Sequence, residues 1–200
     1  MINLSYDKIL SETVDSEKIK YGILFGNERI VFIKVGTGGN IRGYQDKYLQ
    51  MAHRVHARIG ATVICASNGY ADPEEQLSAD KTLIKKIIAD LGLDTYELNF
   101  VGNSDGGEHS LKLAQQFPET IKFLGINSSW STIDTFLGRI QSLSHVKKIF
   151  VYGANDIDFH DIAPKLNTLA CDNLEIVVLD GVDHHFTDKV DDFIALIDLI

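Results

Sequence analysis

The 200-residue chain contains two cysteines, three prolines and one tryptophan, and it has no excess of positive charge. Lysine and arginine number 19 against 28 aspartate and glutamate residues, which gives a net charge of −9 at pH 7. A nucleic-acid-binding protein needs a basic face that neutralises phosphates, and an anionic membrane surface attracts the same positive charge. We therefore predict that the chain binds neither nucleic acid nor a membrane.

The two cysteines, Cys65 and Cys171, stand far apart, in or beside apolar stretches, and form no Cys-x-x-Cys pair. This placement favours two reduced, buried thiols over a disulfide. No apolar run approaches the roughly 20 residues of a membrane span. Residues 1–7 also lack the basic start and apolar core of a signal peptide. These absences predict a cytoplasmic protein.

No repeat, low-complexity tract or linker interrupts the chain. Hydrophobic residues make up 44% and charged residues 24%, which is an ordinary globular composition and argues against disorder. Each of the three prolines, Pro73, Pro118 and Pro164, stands beside a predicted helix end. We predict one domain over residues 1–200.

Strand-like and helix-like segments alternate along the chain. Strand-like runs, several of them almost wholly apolar, cover residues 21–25, 30–35, 61–66, 98–101, 121–126, 148–152 and 174–179. Apolar stripes at helical spacing predict helices near residues 48–59, 77–91, 105–117, 132–143, after residue 160 and over 190–200. The alternation predicts an α/β fold with a mostly parallel sheet and helices on both faces. Residues 4–30 contain turns such as Gly26-Asn27 and no helix, which predicts one or two antiparallel N-terminal strands.

Residues 102–106 read Gly-Asn-Ser-Asp-Gly and form a G-x-S-x-G motif. The motif follows the apolar run 98–101 and opens a helix-like segment. A sharp turn from strand to helix exposes its serine at the carboxyl edge of the sheet, where the helix N-terminus points N–H groups at the reacting centre. This context predicts Ser104 as a nucleophile; a glycine-rich turn that happens to contain a serine is the alternative.

A serine nucleophile requires a base and a carboxylate that orients the base. Two adjacent histidines, His184 and His185, follow the last strand-like run, while Asp156 and Asp158 follow the run 148–152. Surface-loop histidines and turn or helix-capping aspartates are the alternatives for these residues.

The developing oxyanion requires two N–H donors. One is expected from the backbone of Asp105, the residue after the nucleophile, and the other from the glycine-rich loop 36–40. A dinucleotide-binding loop is a poorer interpretation of these glycines. Ile41 stands where G-x-G-x-x-G requires a glycine, and no acidic ribose ligand ends the next strand-like run.

From about Ile30 to the C-terminus, the chain resembles the α/β-hydrolase superfamily, and within it the small serine esterases that have little or no lid. Loop 36–40 is similar to the H-G-x-G-G oxyanion loop, with Val35 in place of the histidine. Residues 153–156 resemble the G-x-x-D acid loop, and residues 181–186 resemble the G-x-D-H-x-F histidine loop.

The resemblance implies roles for individual residues. It favours Asp156 over Asp158 and His184 over His185, and it assigns the second oxyanion N–H to Thr37. The implied catalytic residues are therefore Ser104, Asp156 and His184. Two more residues depart from the family pattern. Asn103 stands before the nucleophile, where the family frequently has a histidine, and Asp105 places a carboxylate directly after the nucleophile. Helix capping and repulsion of anionic substrates are both open interpretations of Asp105.

The resemblance implies a serine hydrolase that cleaves a small-molecule ester or thioester and needs no cofactor and no metal. Residues 128–146, where many members insert a lid, have room for one helix, so we expect a shallow site. Gly38 and Trp130 are expected to contact the substrate. Phe136 and Leu137 are expected beside Trp130, with core packing as the alternative for all three. An acyltransferase or lyase, and a non-catalytic binding protein, are the alternative functions.

Three further histidines receive structural interpretations. His53 and His56 are three positions apart on a predicted helix, a spacing compatible with a metal pair. No neighbouring cysteine or acidic residue completes a ligand set, so surface positions are favoured. His109 lies one turn into the helix after Ser104, and we assign it to packing.

Overall fold

The computed structural model describes residues 4–200, which form an eight-stranded sheet and six α-helices. Residues 1–3 lie outside the described residues. The predicted domain 1–200 and the segment 1–7, which lacks signal-peptide character, both begin with these residues. The strands are β1 (Lys8–Val14), β2 (Glu17–Leu24), β3 (Asn27–Lys34), β4 (Ala61–Ala66), β5 (Glu97–Asn103), β6 (Thr120–Ile126), β7 (Lys147–Gly153) and β8 (Leu174–Leu179). The helices are α1 (Lys47–Ile59), α2 (Pro73–Asp90), α3 (Asp105–Ala114), α4 (Ile133–Ser142), α5 (Ile157–Thr168) and α6 (Val190–Ala195).

The strands are ordered β1-β2-β4-β3-β5-β6-β7-β8 across the sheet. Strands β1 and β2 pair antiparallel, β2 pairs antiparallel with β4, and every later pair is parallel. The predicted mostly parallel sheet with an antiparallel start is therefore confirmed. Parallel strands place their carboxyl ends at one edge, which brings together the loops that carry the candidate residues.

The N-terminal hairpin turns at a place that the sequence did not indicate. Asp15 and Ser16 connect β1 to β2 with φ angles of 44° and 65°, the left-handed conformation of a two-residue hairpin turn. The predicted turn at Gly26-Asn27 connects β2 to β3, but these strands flank β4 instead of pairing with each other. The Asn27 N–H donates to the Gly60 carbonyl at 2.7 Å, so this connection passes the start of β4.

Two apolar layers cover the sheet, one on each face. Along β3, Phe32 belongs to the layer packed against α2 and α3, whereas Ile33 belongs to the layer packed against α1 and α6. Both side chains are buried. Burial on both faces explains why the central strands are continuous apolar runs without alternation.

Helix α5 differs from the predicted one. It begins at Ile157 because the Asp156 side chain accepts the Asp158 N–H at 3.0 Å and caps the helix, whereas the sequence suggested a start after His160. Pro164 lies within the helix, so its predicted position beside a helix end is wrong. Proline lacks an N–H, and the His160 carbonyl therefore loses its helical partner. The helix continues for only four more residues.

The predictions about the two cysteines and about membrane spans can be compared with the described residues. Both cysteines are free, but only Cys65 is fully buried, since Cys171 is partly exposed. Burial raises the pKa of the Cys65 thiol to about 12, which makes it unreactive. Within residues 4–200, every helix is too short or too polar to cross a membrane. The cytoplasmic location and the single domain stay predictions.

Candidate active site

Ser104 occupies the sharp turn between β5 and α3. Its φ of 53° and ψ of −129° are strained values for a residue with a side chain. The flanking glycines permit the turn. A Cβ on Gly102 would lie 2.2 Å from the Gly106 carbonyl oxygen, and a Cβ on Gly106 would lie 2.4 Å from the Lys34 carbonyl oxygen. The predicted strand-turn-helix context of the motif is therefore present.

The loops after β7 and β8 bring a carboxylate and an imidazole to Ser104. His184 Nε2 lies 3.0 Å from Ser104 Oγ, and His184 Nδ1 lies 2.9 Å from Asp156 Oδ2. Asp156 is fully buried, and His184 is half-buried. Because an ionised carboxylate only accepts hydrogen bonds, Nδ1 carries the ring proton and Nε2 is free to accept the serine O–H.

The charges around His184 favour its protonated form. The hydrogen bond to Asp156 raises the pKa of His184 above its usual value, although partial burial opposes this. The negative charges of Asp156, Asp158 and Asp105 add to the increase. An imidazolium that forms here is therefore stabilised by its surroundings.

The two alternatives from the sequence, His185 and Asp158, occupy other positions. His185 is exposed, and its ring packs edge-on against that of His184 with a centroid distance of 5.3 Å. Asp158 accepts a hydrogen bond of 3.2 Å from the Ser129 hydroxyl, which in turn lies 3.3 Å from Ser104 Oγ. Asp158 thus reaches the serine through a second hydroxyl.

Sequence reasoning missed two residues at this sheet edge. One is Ser129, and the other is Asn127, which follows β6 directly with a φ of 41°. The Asn127 amide donates to the carbonyl oxygens of Asp183 and His184 at 3.1 and 3.0 Å, and it accepts the Gly153 N–H at 2.8 Å. Asn127 therefore ties the acid loop to the histidine loop. The only available signal was the run of polar residues immediately after a predicted central strand.

The glycine loop after β3 contacts the start of α3. The Thr37 hydroxyl donates to Asp105 Oδ2 at 2.5 Å. Asp105 is the first residue of α3, where no preceding helical carbonyl is available to its N–H. Among the loop and cap hydrogen bonds of residues 4–200, none uses the backbone N–H of Thr37 or of Asp105. Both groups thus remain available to a ligand.

The two other departures from the α/β-hydrolase pattern have structural places. Val35 is fully buried beneath the glycine loop, and its carbonyl accepts a hydrogen bond of 3.2 Å from the Asn68 amide. The Asn103 side chain accepts the Tyr48 hydroxyl at 2.7 Å and donates to the Ile126 carbonyl at 3.1 Å. Both residues support the loops around Ser104.

Two clefts meet at the Thr37–Asp105 bridge. The first has a volume of about 330 Å³ and includes Ser104 and His184. The second has a volume of about 350 Å³ and includes Trp130, together with Thr37 and Asp105. The bridge therefore forms a wall that the two clefts share.

The residues expected at the substrate site do not all line a cleft. Trp130 lines the second cleft, whereas Gly38 is exposed and lines neither cleft. Phe136 is fully buried and packs against Trp130 with a ring-centroid distance of 6.1 Å. Leu137 is partly buried against the same core. Phe136 and Leu137 thus follow the core-packing alternative.

His109 belongs to a buried charge network that the sequence did not predict. Asp80 Oδ2 lies 2.8 Å from Lys34 Nζ and 2.8 Å from His109 Nε2. Lys34 and Asp80 are both fully buried. Lys34 stands in an apolar strand and Asp80 on a helix, far apart in the chain, so no local pattern relates them.

The metal alternatives can be compared with the described contacts. The rings of His53 and His56 hydrogen-bond to the carbonyl oxygens of Ser5 and Ala61, both at 2.9 Å, which supports their structural interpretation. Asp156, Asp158 and His184 offer three ligand atoms within 4.8 Å of one another. Asp156 and His184 are joined by a hydrogen bond there, so we assign no metal to this cluster.

Comparison with protein-family models and with curated protein sequences finds no match for the chain. Solved structures, in contrast, match over almost its whole length. Est1E from Butyrivibrio proteoclasticus has a TM-score of 0.73 at 10% identity, with 96% of each chain covered. An alpha-beta serine hydrolase homologue from Coxiella burnetii has a TM-score of 0.73 at 14% identity, also with 96% of each chain covered. A serine hydrolase without a lid from Xanthomonas campestris has a TM-score of 0.68 at 18% identity, covering 97% of this chain and 93% of the other.

These matches show that the chain has the α/β-hydrolase fold, as the motifs predicted. The strand order and the antiparallel start agree with this fold. Between β6 and β7, where a lid is often inserted, the chain has only helix α4. The predicted similarity to proteins with little or no lid is confirmed.

Proposed function

We propose that the chain is a serine hydrolase that cleaves a small ester or thioester through an acyl-enzyme on Ser104. The observation that carries the proposal is the hydrogen-bonded series from Ser104 Oγ through His184 to Asp156, with distances of 3.0 and 2.9 Å. In this series Ser104 is the nucleophile, His184 is the base, and Asp156 is the carboxylate that orients the base. The similar structures described as serine hydrolases and esterases add support.

In the first step, Ser104 Oγ attacks the carbonyl carbon of the substrate and forms a new C–O bond. The serine proton passes to His184 Nε2, and the electron pair of the carbonyl bond moves onto the oxygen. Asp156 stabilises the imidazolium that results, because its buried carboxylate already bonds the opposite ring nitrogen.

The backbone N–H groups of Thr37 and Asp105 are the proposed donors to the oxyanion. Both are free of loop and cap hydrogen bonds among residues 4–200, and the Thr37–Asp105 side-chain bond holds the two residues together. The positive end of α3 adds its dipole at the same place. Preorganised donors of this kind stabilise the charge that develops in the transition state.

In the second step, the tetrahedral intermediate collapses, and the bond to the alcohol or thiol breaks. His184 gives its proton to that leaving group, which departs and leaves an acyl ester on Ser104. Water then attacks the acyl carbon while His184 takes its proton. The bond to Ser104 Oγ breaks, His184 returns the proton to that oxygen, and the carboxylic acid leaves. Esters and thioesters suit this open site better than amides because their leaving groups are better.

A fluorophosphonate probe tests the nucleophile. The probe phosphonylates an activated serine with loss of fluoride, so wild-type protein should be labelled and Ser104→Ala should not. Ser78→Ala, the same change at an exposed position on α2, is the matched control and should be labelled like wild type. Labelling that persists in Ser104→Ala would assign the reaction to another residue. Unlabelled but folded wild-type protein would contradict the proposal as a whole.

A panel of short- and medium-chain aryl esters and thioesters tests the reaction. Turnover should show a rapid first release of the aryl group followed by a slower steady rate when deacylation limits the reaction. Addition of an alcohol or amine acceptor separates hydrolysis from acyl transfer, because only a transferase converts most of the acyl group to the new ester or amide.

A further inference from the structure

The second cleft contains a histidine ring with an unused nitrogen. His109 is 8% exposed, and its Nε2 is bonded to Asp80. Its Nδ1 has no hydrogen-bond partner among residues 4–200. Four buried side-chain polar atoms in that part of the chain lack a partner, and Nδ1 is not one of them. Since His109 lines the cleft, we infer that its unused Nδ1 faces the cleft.

The surroundings determine which nitrogen carries the proton. Burial opposes the ionisation of Asp80, but the charge of Lys34 and the hydrogen bond from His109 outweigh it and keep the pKa of Asp80 below its usual range. The resulting carboxylate only accepts, so His109 Nε2 must donate to it. Burial also lowers the pKa of His109, which keeps the ring neutral. Nδ1 is therefore a bare acceptor that faces the cleft.

The charged side chains of the cleft already have partners. Glu108 accepts the Ser131 N–H at 2.7 Å with one oxygen and the Ser131 hydroxyl at 3.1 Å with the other. Lys112 Nζ lies 3.0 Å from a carboxylate oxygen of Glu74. Asp105 is bonded to Thr37, as described above. Each of these charged groups is already bonded within the chain, and the carboxylates of Asp105 and Glu108 disfavour an anion, so we take the cleft to suit a neutral group.

Two aromatic side chains, Tyr70 and Trp130, contribute to the walls of the cleft. Trp130 is only partly buried, and the fully buried Phe136 supports its ring from behind. Aromatic rings gain from stacking against such a wall beyond the area that they bury. The lining thus combines an aromatic surface with the neutral acceptor of His109.

The cleft is also at a suitable distance from the nucleophile. Ser104 and His109 are five positions apart on or beside α3, which corresponds to about 7.5 Å along the helix axis. The cleft shares the Thr37–Asp105 wall with the cleft that contains Ser104. A single aromatic ring and its substituent can bridge this separation.

We propose that the second cleft binds a neutral aromatic group that carries a hydroxyl, with the ring against Trp130 and the hydroxyl donating to His109 Nδ1. This inference rests on the proposed function, because it takes the aromatic group to be one half of the ester that Ser104 cleaves. The substrate class is then an ester of a hydroxylated aryl acid or aryl alcohol.

Binding to the Ser104→Ala protein tests the inference without turnover. The ligands are methyl 4-hydroxyphenylacetate, its 4-methoxy analogue and methyl phenylacetate, measured by titration calorimetry. The esters 2-(4-hydroxyphenyl)ethyl acetate and 2-phenylethyl acetate form the matching alcohol-side pair. In at least one series the hydroxylated ester should bind roughly fivefold more tightly than its partners, since only its phenol donates. Equal affinities in both series would overturn the inference.

Two variants identify the acceptor. His109→Phe should abolish the hydroxyl preference, and a preference that persists in folded His109→Phe protein would overturn the role of His109. Trp130→Leu removes only the aromatic wall, so it should weaken all ligands of the preferred series and retain the hydroxyl preference. If His109→Phe does not fold, the hydroxyl–methoxy comparison in Ser104→Ala still decides whether the cleft prefers a hydroxyl.

The same experiments separate the inference from the proposed function. Probe labelling of Ser104 without any hydroxyl preference overturns the aromatic site and leaves the hydrolase proposal intact. A hydroxyl preference without probe labelling supports the aromatic binding site and contradicts the hydrolase proposal.

Discussion

The side chains of Thr37 and Asp105 are joined by a hydrogen bond of 2.5 Å that connects the glycine loop to the first residue of α3. The same two residues carry the N–H groups that we assign to the oxyanion. The bond therefore gives Asp105, which is unusual beside a nucleophile, a positioning role. The sequence left two interpretations of Asp105 open, helix capping and repulsion of anionic substrates. Neither includes this contact.

Thr37→Val removes the hydroxyl and keeps the shape of the side chain. Without the bond the glycine loop is less well placed, and we expect kcat to fall roughly 10- to 100-fold, with a smaller change in KM. Thr37→Ser retains a hydroxyl and should stay near the wild-type rate. Steady-state kinetics on one aryl ester check this, and equal rates for the valine and serine variants would contradict it.

Asp156→Asn and Asp158→Asn should have very different effects on the rate. An asparagine at position 156 favours the wrong tautomer of His184, and we expect a loss of about 10⁴-fold in kcat. Asp158 contacts Ser129 instead of the ring, so its variant should lose less than about tenfold. Comparison of the two kcat values checks the assignment, and the reverse order would identify Asp158 as the orienting carboxylate.

The pH dependence of kcat/KM should report the titration of His184. The ring must be neutral to act as a base, and its pKa is raised mainly by the hydrogen bond to Asp156. The rate should therefore rise with pH through a midpoint above about 6.5, the usual value for histidine. The carboxylates of Asp156, Asp158 and Asp105 place negative charge near the ring. Asp158→Asn removes one of these charges and should move the midpoint to lower pH. A midpoint that stays in place or moves upward would contradict this electrostatic account.

Lys34→Met should destabilise the fold more than the loss of a surface charge pair. The change leaves the fully buried Asp80 carboxylate without its cation, and we expect a loss of about 3–5 kcal/mol in the free energy of unfolding. Urea denaturation at pH 7 measures this loss. The double variant Lys34→Met/Asp80→Leu should recover part of it, and an equal loss in both variants would contradict the charge argument.

The acid sensitivity of the same pair has a defined sign. The folded-state pKa of Asp80 is lowered, so its contribution to stability is complete above the usual aspartate value of about 3.9 and is lost as the pH falls toward the folded value. In Lys34→Met the buried Asp80 loses its cation and takes up a proton more readily than in wild type, so the difference in unfolding free energy between the two proteins should shrink as the pH falls. A difference that grows in acid would show that the pKa of Asp80 is not lowered.

Much of the architecture follows from local patterns. Short apolar runs alternate with amphipathic segments, and only a sheet covered on both faces buries such runs. The exceptions involve short-range backbone chemistry: the hairpin turns at Asp15 and Ser16, which adopt positive φ angles without a glycine, and Pro164 lies inside a short helix. Neither is visible in hydrophobic periodicity.

The candidate active site was predictable because its residues follow strands. Ser104, Asp156 and His184 each stand in a loop after a parallel strand, and all such loops meet at one edge of the sheet. Motif spacing and chain order were therefore sufficient to select them. The resemblance of the two loops to those of the family favoured Asp156 and His184 over their neighbours, whereas the hydrogen-bond distances depend on the folded structure.

The Thr37–Asp105 bond, the Asn127 contacts and the Lys34–Asp80–His109 network appear only in the folded chain. Each joins residues that are 26 or more positions apart, such as Lys34 and Asp80 at a separation of 46. Such contacts depend on strand order, helix orientation and rotamer choice, none of which leaves a periodic trace in the sequence. Ser104 could thus be recognised from its neighbours in the chain, whereas the bridge beside it and the acceptor in the second cleft depend on packing.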